Sequence, residues 1–155
     1  FEIQSVEGDH PPSSEALLHV AIYRSRSDVR AVIHTHSIFS TVVAVSGLDI
    51  PPIIDEAMVA IGGPVQVSKY AFPGTQELAD NVANALGERG AVLIRNHGAV
   101  GVGRNLHEAL EICALVERLA QIFVYTSMLG KVDILPPHAI DAGIAIYHMR
   151  QHNTG

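Results

Sequence analysis

Ala31-Val32-Ile33-His34-Thr35-His36-Ser37 is the stretch on which the reading of this chain turns. The small and β-branched residues from Ala31 to Ile33 predict a buried strand. Side chains alternate across a strand, so His34 and His36 fall on one side, two rises or roughly 6.6 Å apart. Two imidazoles so placed can close on a single metal ion, and Zn²⁺ suits imidazole nitrogen. The competing reading is a strand end that carries two solvated histidines. A catalytic zinc centre usually has three protein ligands and one open position, so the metal reading calls for a third donor.

Ala91-Val92-Leu93-Ile94, bounded by Gly90 and Arg95, predicts a central strand. It delivers Asn96-His97-Gly98, and a second small-residue strand follows from Ala99 to Val102. His97 stands between a turn-forming Asn and a Gly that permits close backbone approach. Alone it would read as a structural histidine. Beside the His34/His36 strand it is the best third ligand.

The helices are placed by caps and periodicity. Pro11-Pro12 bars a helix interior, and Ser13 or Ser14 is a suitable N-cap for a helix to about Arg26 whose buried face carries Leu17, Leu18, Ala21 and Ile22. Glu15 falls in the first turn of that helix, where the dipole favours a carboxylate. His19, at i+4 from Glu15, is either its orienting partner or a half-buried structural histidine. A short helix over about Ile38 to Ser46 stops at Gly47, and Ile50-Pro51-Pro52 turns the chain. Asp55-Glu56 lead the apolar stretch Ala57 to Ile61, and Val65 to Tyr70 alternates as a short strand would. Thr75 caps a helix to about Glu88, with Leu78, Val82, Ala85 and Leu86 inward. Asn105 and Glu108 open a long helix to about Leu129 in the manner of a capping box. Its expected stripe is Leu106, Leu110, Cys113, Val116, Ala120 and Phe123, with Gly130 at the stop. Pro136-Pro137 sets off a last helix, about His138 to Gln151. Several connections are too short for parallel crossovers, which predicts one domain with a mixed sheet and helices on both faces.

Bulk composition narrows the function. The 155 residues are 48% hydrophobic and 17% charged, enough for one globular core. A net charge of −6 without a Lys/Arg stripe argues against a nucleic-acid partner, and no apolar run is long enough to predict a membrane partner. The single cysteine, Cys113, rules out an internal disulfide framework and fits a reducing, cytoplasmic setting. Nine histidines are a generous number, and that excess calls for an account. A GxGxxG or Walker loop and a GxSxG elbow are missing. An HxHxDH hydrolase would need Asp and His where Ile38 and Phe39 stand, and an HxH barrel would need a longer chain.

Taken together, Pro12-Ser13-Ser14-Glu15, His34-Thr35-His36, Gly62-Gly63, Asn96-His97-Gly98 and the helix beginning Asn105-Leu106 resemble the class II aldolase/adducin family across nearly the whole chain. The resemblance implies a three-layer α/β/α fold with a mixed, mostly antiparallel central sheet. It implies Zn²⁺ on His34, His36 and His97, with Mn²⁺ or Co²⁺ as alternatives, and Glu15 as the catalytic acid/base. Ser13 and Ser14 would form part of a phosphate pocket, consistent with hydroxyls and amides at a helix N-terminus. The partners implied are a small sugar phosphate and further copies of the chain, in a homotetramer with active sites between subunits. The chain opens on Phe1 rather than Met, and the family's other phosphate-gripping loops are expected upstream of it.

Two departures bear on the activity. A tyrosine lent by a neighbouring subunit in fuculose-type members falls near Asp55, which is not a match, and Tyr147 is the candidate for a second lent tyrosine. Dehydratases of the methionine-salvage branch use a glutamate in the segment matching Asp55-Glu56, which makes Glu56 a candidate second acid/base. They lack the Ser-Ser-Glu motif, so the reading tilts toward an aldolase. The expected reaction is reversible retro-aldol cleavage of a ketose phosphate, similar to L-fuculose 1-phosphate, to dihydroxyacetone phosphate and an aldehyde. A Lewis-acid cation would stabilise the enediolate left by cleavage, so no Schiff-base lysine is needed, and only Lys69 and Lys131 are on offer. The alternatives are an epimerase, dehydratase or sugar-acid phosphate decarboxylase on the same scaffold, or a non-catalytic adducin-like binding domain.

Overall fold

The computed structural model describes residues 5, 7 and 11–152; most of the polar lead before Pro11 lies outside them. In chain order the elements are α1 (Ala16–Ser25), β1 (Ala31–Thr35), α2 (Ile38–Ser46), α3 (Asp55–Ile61), α4 (Gln76–Leu86), β2 (Ala91–Ile94), β3 (Gly98–Gly103), α5 (Leu106–Met128) and α6 (Pro137–His152).

Strand alternation builds two cores on opposite faces of one small sheet. Val32, Val92, Ile94, Val100 and Val102 face α1 and α4, where they meet Leu18, Ile22, Leu78, Val82 and Leu86. Ala91, Leu93 and Ala99 face the other way, into a cluster with Val43 of α2, Met58 and Ile61 of α3, and Val116 and Leu119 of α5. This is the α/β/α layering expected, with α6 packed over α3 so closely that a Cβ on Gly143 would meet the Cβ of Met58 at 2.5 Å.

The strand order corrects one expectation. It is β1-β3-β2, both pairs antiparallel, so β3 is central and β2 is not. β2 reads as a central strand because it is buried throughout. Its outer edge is covered by the 66–68 segment: Leu93 N–H donates to Gln66 O at 2.8 Å, and Ser68 N–H to Leu93 O at 2.8 Å. That contact is parallel, which makes the sheet mixed though mostly antiparallel. The strand expected over Val65 to Tyr70 is therefore only a pair of isolated bridges. Val65 pairs with Ile50, and Val67 with Leu93, so the segment changes partner before a ladder can grow.

Two helices also differ from expectation. On α5, Cys113, Val116 and Ala120 are buried as anticipated, but Leu106 and Leu110 are 69% and 55% exposed. Ala109, Ile112, Leu115 and Leu119 take the core side instead. The sheet presents Gly101 and Gly103 to this helix, and a Cβ on Gly103 would stand 2.7 Å from Ala109 N. Contact that close admits Ala109 and Cys113 and has no room for leucines. At the start of α1 the N-cap is Glu15 rather than Ser13 or Ser14, so Glu15 precedes the first turn instead of lying in it. The Ser13 hydroxyl accepts a hydrogen bond from Glu15 N–H at 3.2 Å, and so serves the entry to the helix from one step earlier.

Candidate metal centre

His34 lies near the end of β1 on the face that looks toward α1 and α4, opposite Val100 in the register. His36 follows one residue beyond the strand. His97 arrives from the three-residue turn between β2 and β3, closed by a bond from His97 N–H to Ile94 O at 3.0 Å. Asn96 occupies the left-handed region in that turn at φ 57°, where Asn is among the few non-Gly residues that sit readily. Gly98 is required next: a Cβ there would collide with the backbone carbonyl of Thr35 and lie 3.0 Å from the His36 ring. The absence of that Cβ lets the turn come down onto the end of β1.

The three rings meet. Their centroids are 4.7, 4.8 and 4.9 Å apart, and one nitrogen of each lies within 4.8 Å of the others. His34 Nδ1 is 3.0 Å from the Ala99 carbonyl. A carbonyl only accepts, so Nδ1 carries the proton and Nε2 is left as a bare lone pair, the usual way a ligating histidine has its tautomer set. That Nε2 lies 2.9 Å from His36 Nε2. Tetrahedral zinc with bonds of about 2.05 Å holds its ligand nitrogens ~3.3 Å apart, so the pair needs to open by only ~0.4 Å. His97 Nδ1 is buried with no hydrogen-bond partner, leaving one ring of the cluster short of a contact within the protein. The donor set and the spacing both fit a divalent ion.

The electrostatics favour neutral ligands. Burial holds His34 below the ordinary histidine range, with His97 and His36 pushing the same way against the pull of the Ala99 carbonyl and Glu15. Burial also lowers His97, with Glu15 opposing. Glu15 is 6% exposed, and its charge acts on both rings and on the half-buried His19, which burial likewise depresses. A carboxylate at the head of α1 is therefore close enough to the cluster to influence it. Ser13 and Ser14 are exposed in the turn before α1, with Gly74 beside the Ser14 carbonyl.

Two residues named from the sequence are not part of this cluster. Glu56 is exposed and pairs with Arg118 of α5. The two line a cavity of about 800 Å³ between α3, α5 and α6 whose walls include none of the three histidines. Tyr147 is engaged within its own chain: it is 3% exposed, donates its hydroxyl to Glu88 O at 2.9 Å, and packs against Gly62. A tyrosine so placed is not available to a neighbouring subunit. The Ala99 carbonyl, which sets the His34 tautomer, is a backbone group with no mark in the sequence.

Comparison with known proteins gives the chain a family. The family described as class II aldolase and adducin N-terminal domain matches residues 2–124. The chain belongs to that family. A Bacillus thuringiensis protein named 5-deoxy-D-ribulose 1-phosphate aldolase is 35% identical over 132 residues, 84% of this chain and 61% of that protein. The L-fuculose phosphate aldolase of Escherichia coli K12 is 40% identical over 115 residues, 74% of this chain and 54% of that protein. Among solved structures, an L-fuculose 1-phosphate aldolase superposes with a TM-score of 0.86 at 35% identity, covering 92% of this chain and 67% of that one. The chain thus spans between about half and three fifths of the length of these curated relatives.

Proposed function

We propose that this class II aldolase-family chain carries out metal-dependent, reversible retro-aldol cleavage of a ketose 1-phosphate to dihydroxyacetone phosphate and an aldehyde. The observation that carries the reading is the convergence of His34, His36 and His97, with the charge of the buried Glu15 acting on two of those rings. The names of the relatives, which act on fuculose and 5-deoxyribulose phosphates, support the substrate class.

His34, His36 and His97 would hold the ion, Zn²⁺ by preference for an all-imidazole set, with Mn²⁺ and Co²⁺ as alternatives. Bound by three neutral ligands, such an ion keeps its full charge and supplies Lewis-acid stabilisation to substrate oxygens. Glu15 is the acid/base: a carboxylate held at the head of α1 takes the proton from the substrate hydroxyl as the carbon–carbon bond breaks and returns one to the three-carbon product. Ser13 and Ser14, exposed at the start of α1, receive the phosphate. The Thr35–Ser37 segment leads straight into α2, whose exposed residues Ile38, Val42 and Val45 recur along one side. An apolar stripe next to the site supports association of copies with active sites between subunits, in the homotetramer that the family resemblance implies.

The test is to load the full chain with Zn²⁺, supply L-fuculose 1-phosphate and 5-deoxyribulose 1-phosphate, and measure dihydroxyacetone phosphate. Release is expected, with Glu15→Gln reducing turnover by about 10²–10⁴-fold while zinc stays bound. Wild-type turnover in Glu15→Gln would remove Glu15 from the mechanism. No release from any ketose 1-phosphate by the metal-loaded chain would overturn the aldolase reading.

A further inference from the structure

Helix α2 begins immediately after His36, and its N-terminus is held in an unusual way. The residue at the N-cap position is Ser37, a type that commonly bonds the amides of the first turn, yet its side chain makes no capping bond. The cap comes from Glu117 of α5, nearly eighty residues away. Its Oε1 accepts from Phe39 N–H at 2.9 Å, and its Oε2 accepts from both Ser40 N–H and the Ser40 hydroxyl at 2.8 Å. The Ser37 hydroxyl lies against the same carboxylate. These are the amides that an N-cap side chain would satisfy, and α2 has no charged residue of its own to complement its positive end. Ser40 is fully buried, so water has no access with which to replace the carboxylate.

The same helix grips the chain on the other side of the histidines. Cys113, one turn before Glu117 on α5, lies with its Sγ 3.6 Å from the Ile33 carbonyl and against Gly101 of the central strand. Between Ile33 and Phe39 the chain carries His34 and His36. His34 has its own anchor in the Ala99 carbonyl. Among the described residues, the ring of His36, which is exposed, hydrogen-bonds to no protein group but His34. Its position is therefore set by the backbone that leaves β1 and enters α2.

We propose that Glu117 is a positioning residue for the metal centre: by capping α2 from α5 it fixes the Thr35–Ser37 segment and holds the His36 ring at bonding distance from the ion. The inference rests on the reading of His34, His36 and His97 as the ligand set. Glu117 is bonded to the start of α2 and is not one of the clustered donors, so its loss acts on how tightly and in what geometry the metal is held.

The experiment is a Co²⁺ titration of the metal-free full chain, followed by chelator competition and by the visible absorption of bound Co²⁺, which reports coordination geometry. Wild type, His36→Ala, Glu117→Gln and Asn105→Ala are compared. Gln presents an N–H₂ group to one of the donors that Glu117 accepts. Asn105→Ala removes the α5 cap bond to Glu108 N–H, away from the histidines, and controls for a general loss of stability. Wild type is expected to bind one equivalent, and His36→Ala to bind far more weakly. Glu117→Gln is expected to lose about tenfold in affinity, as outer-shell substitutions commonly do, with an altered spectrum; Asn105→Ala keeps both. Glu117→Asp, which keeps the charge but withdraws it by one methylene, serves if the Gln variant fails to fold, and should also loosen the metal. Unchanged affinity and spectrum in a folded Glu117 variant would overturn the positioning role while leaving the metal centre in place. Failure of wild type to bind, or full binding by His36→Ala, would instead overturn the ligand assignment and this inference with it.

Discussion

Substituting Gly98 by Ala tests whether the fold and the metal centre share one steric device. The added Cβ would press on the Thr35 carbonyl oxygen and approach the His36 Cδ2 to 3.0 Å. Ordinary carbon–oxygen contacts are about 3.3 Å or more, so the end of β1 must retreat by about 1 Å. The obstacle is strand backbone rather than the tip of a flexible side chain, which places the cost near the upper end of the ~1–3 kcal/mol typical of overpacking. At ~2–4 °C per kcal/mol for a chain of this size, Tm should fall by roughly 6–12 °C. The retreat also carries His36 away from His34 and His97, so zinc affinity, measured by competition with a chromophoric chelator, should drop by at least about tenfold. Gly130→Ala is the control. It places a Cβ in open space at φ 87°, incurs left-handed strain of about 1–2 kcal/mol, and should leave zinc affinity unchanged. A Gly98→Ala protein with wild-type Tm and wild-type zinc affinity would refute the close approach of the hairpin to β1.

Zinc retention should depend on pH in a defined direction. Burial holds His34 and His97 below the ordinary value of 6.5, so both are neutral and ready to ligate at pH 7. Their contribution to folding is complete above about 6.5, where the unfolded histidine is neutral too, and is lost as pH falls through the lower folded-state values. Zinc affinity and the Tm of the metal-free chain should therefore both fall as pH is lowered from 7 to 5; affinity that rises on acidification would contradict the ligand assignment. Cys113 should be chemically silent in the native protein. Burial pushes its thiol up to about 11, so little thiolate exists at pH 8, and a disulfide reagent should react only after denaturant is added. Rapid labelling of the folded chain would show that α5 does not seat on β1 and β3 as described.

Much of the fold follows from short-range chemistry. α2 runs over Ile38–Ser46 and ends at Gly47 with φ 71°, as the glycine stop predicts. Thr75 Oγ1 accepts from Leu78 N–H at 3.2 Å, and Asn105 Oδ1 from Glu108 N–H at 2.9 Å, each where the sequence called for a cap. The histidines were legible for the same reason: strand alternation puts His34 and His36 on one side, and Asn-His-Gly marks a tight turn. Errors arose where a residue's fate depends on what meets it. Leu106 and Leu110 fit a helical stripe as well as Ala109 and Ile112 do, and only the glycine surface of β3 chooses between them. Tyr147 is a free hydroxyl in the sequence and a buried donor to Glu88 in the fold.

Periodicity, caps and turn residues lie within a few positions of one another, so the chain's own order was enough to locate most elements, single out three imidazoles as candidate ligands and place the chain in its family. Folding alone settled that β3 lies at the centre, that Glu56 faces Arg118 away from the histidines, and that Glu117 caps α2. A strand carries the same two-residue alternation whichever neighbour it pairs with. A carboxylate 77 positions from the amide it binds leaves no local trace, because that bond is drawn by packing between helices and not by sequence.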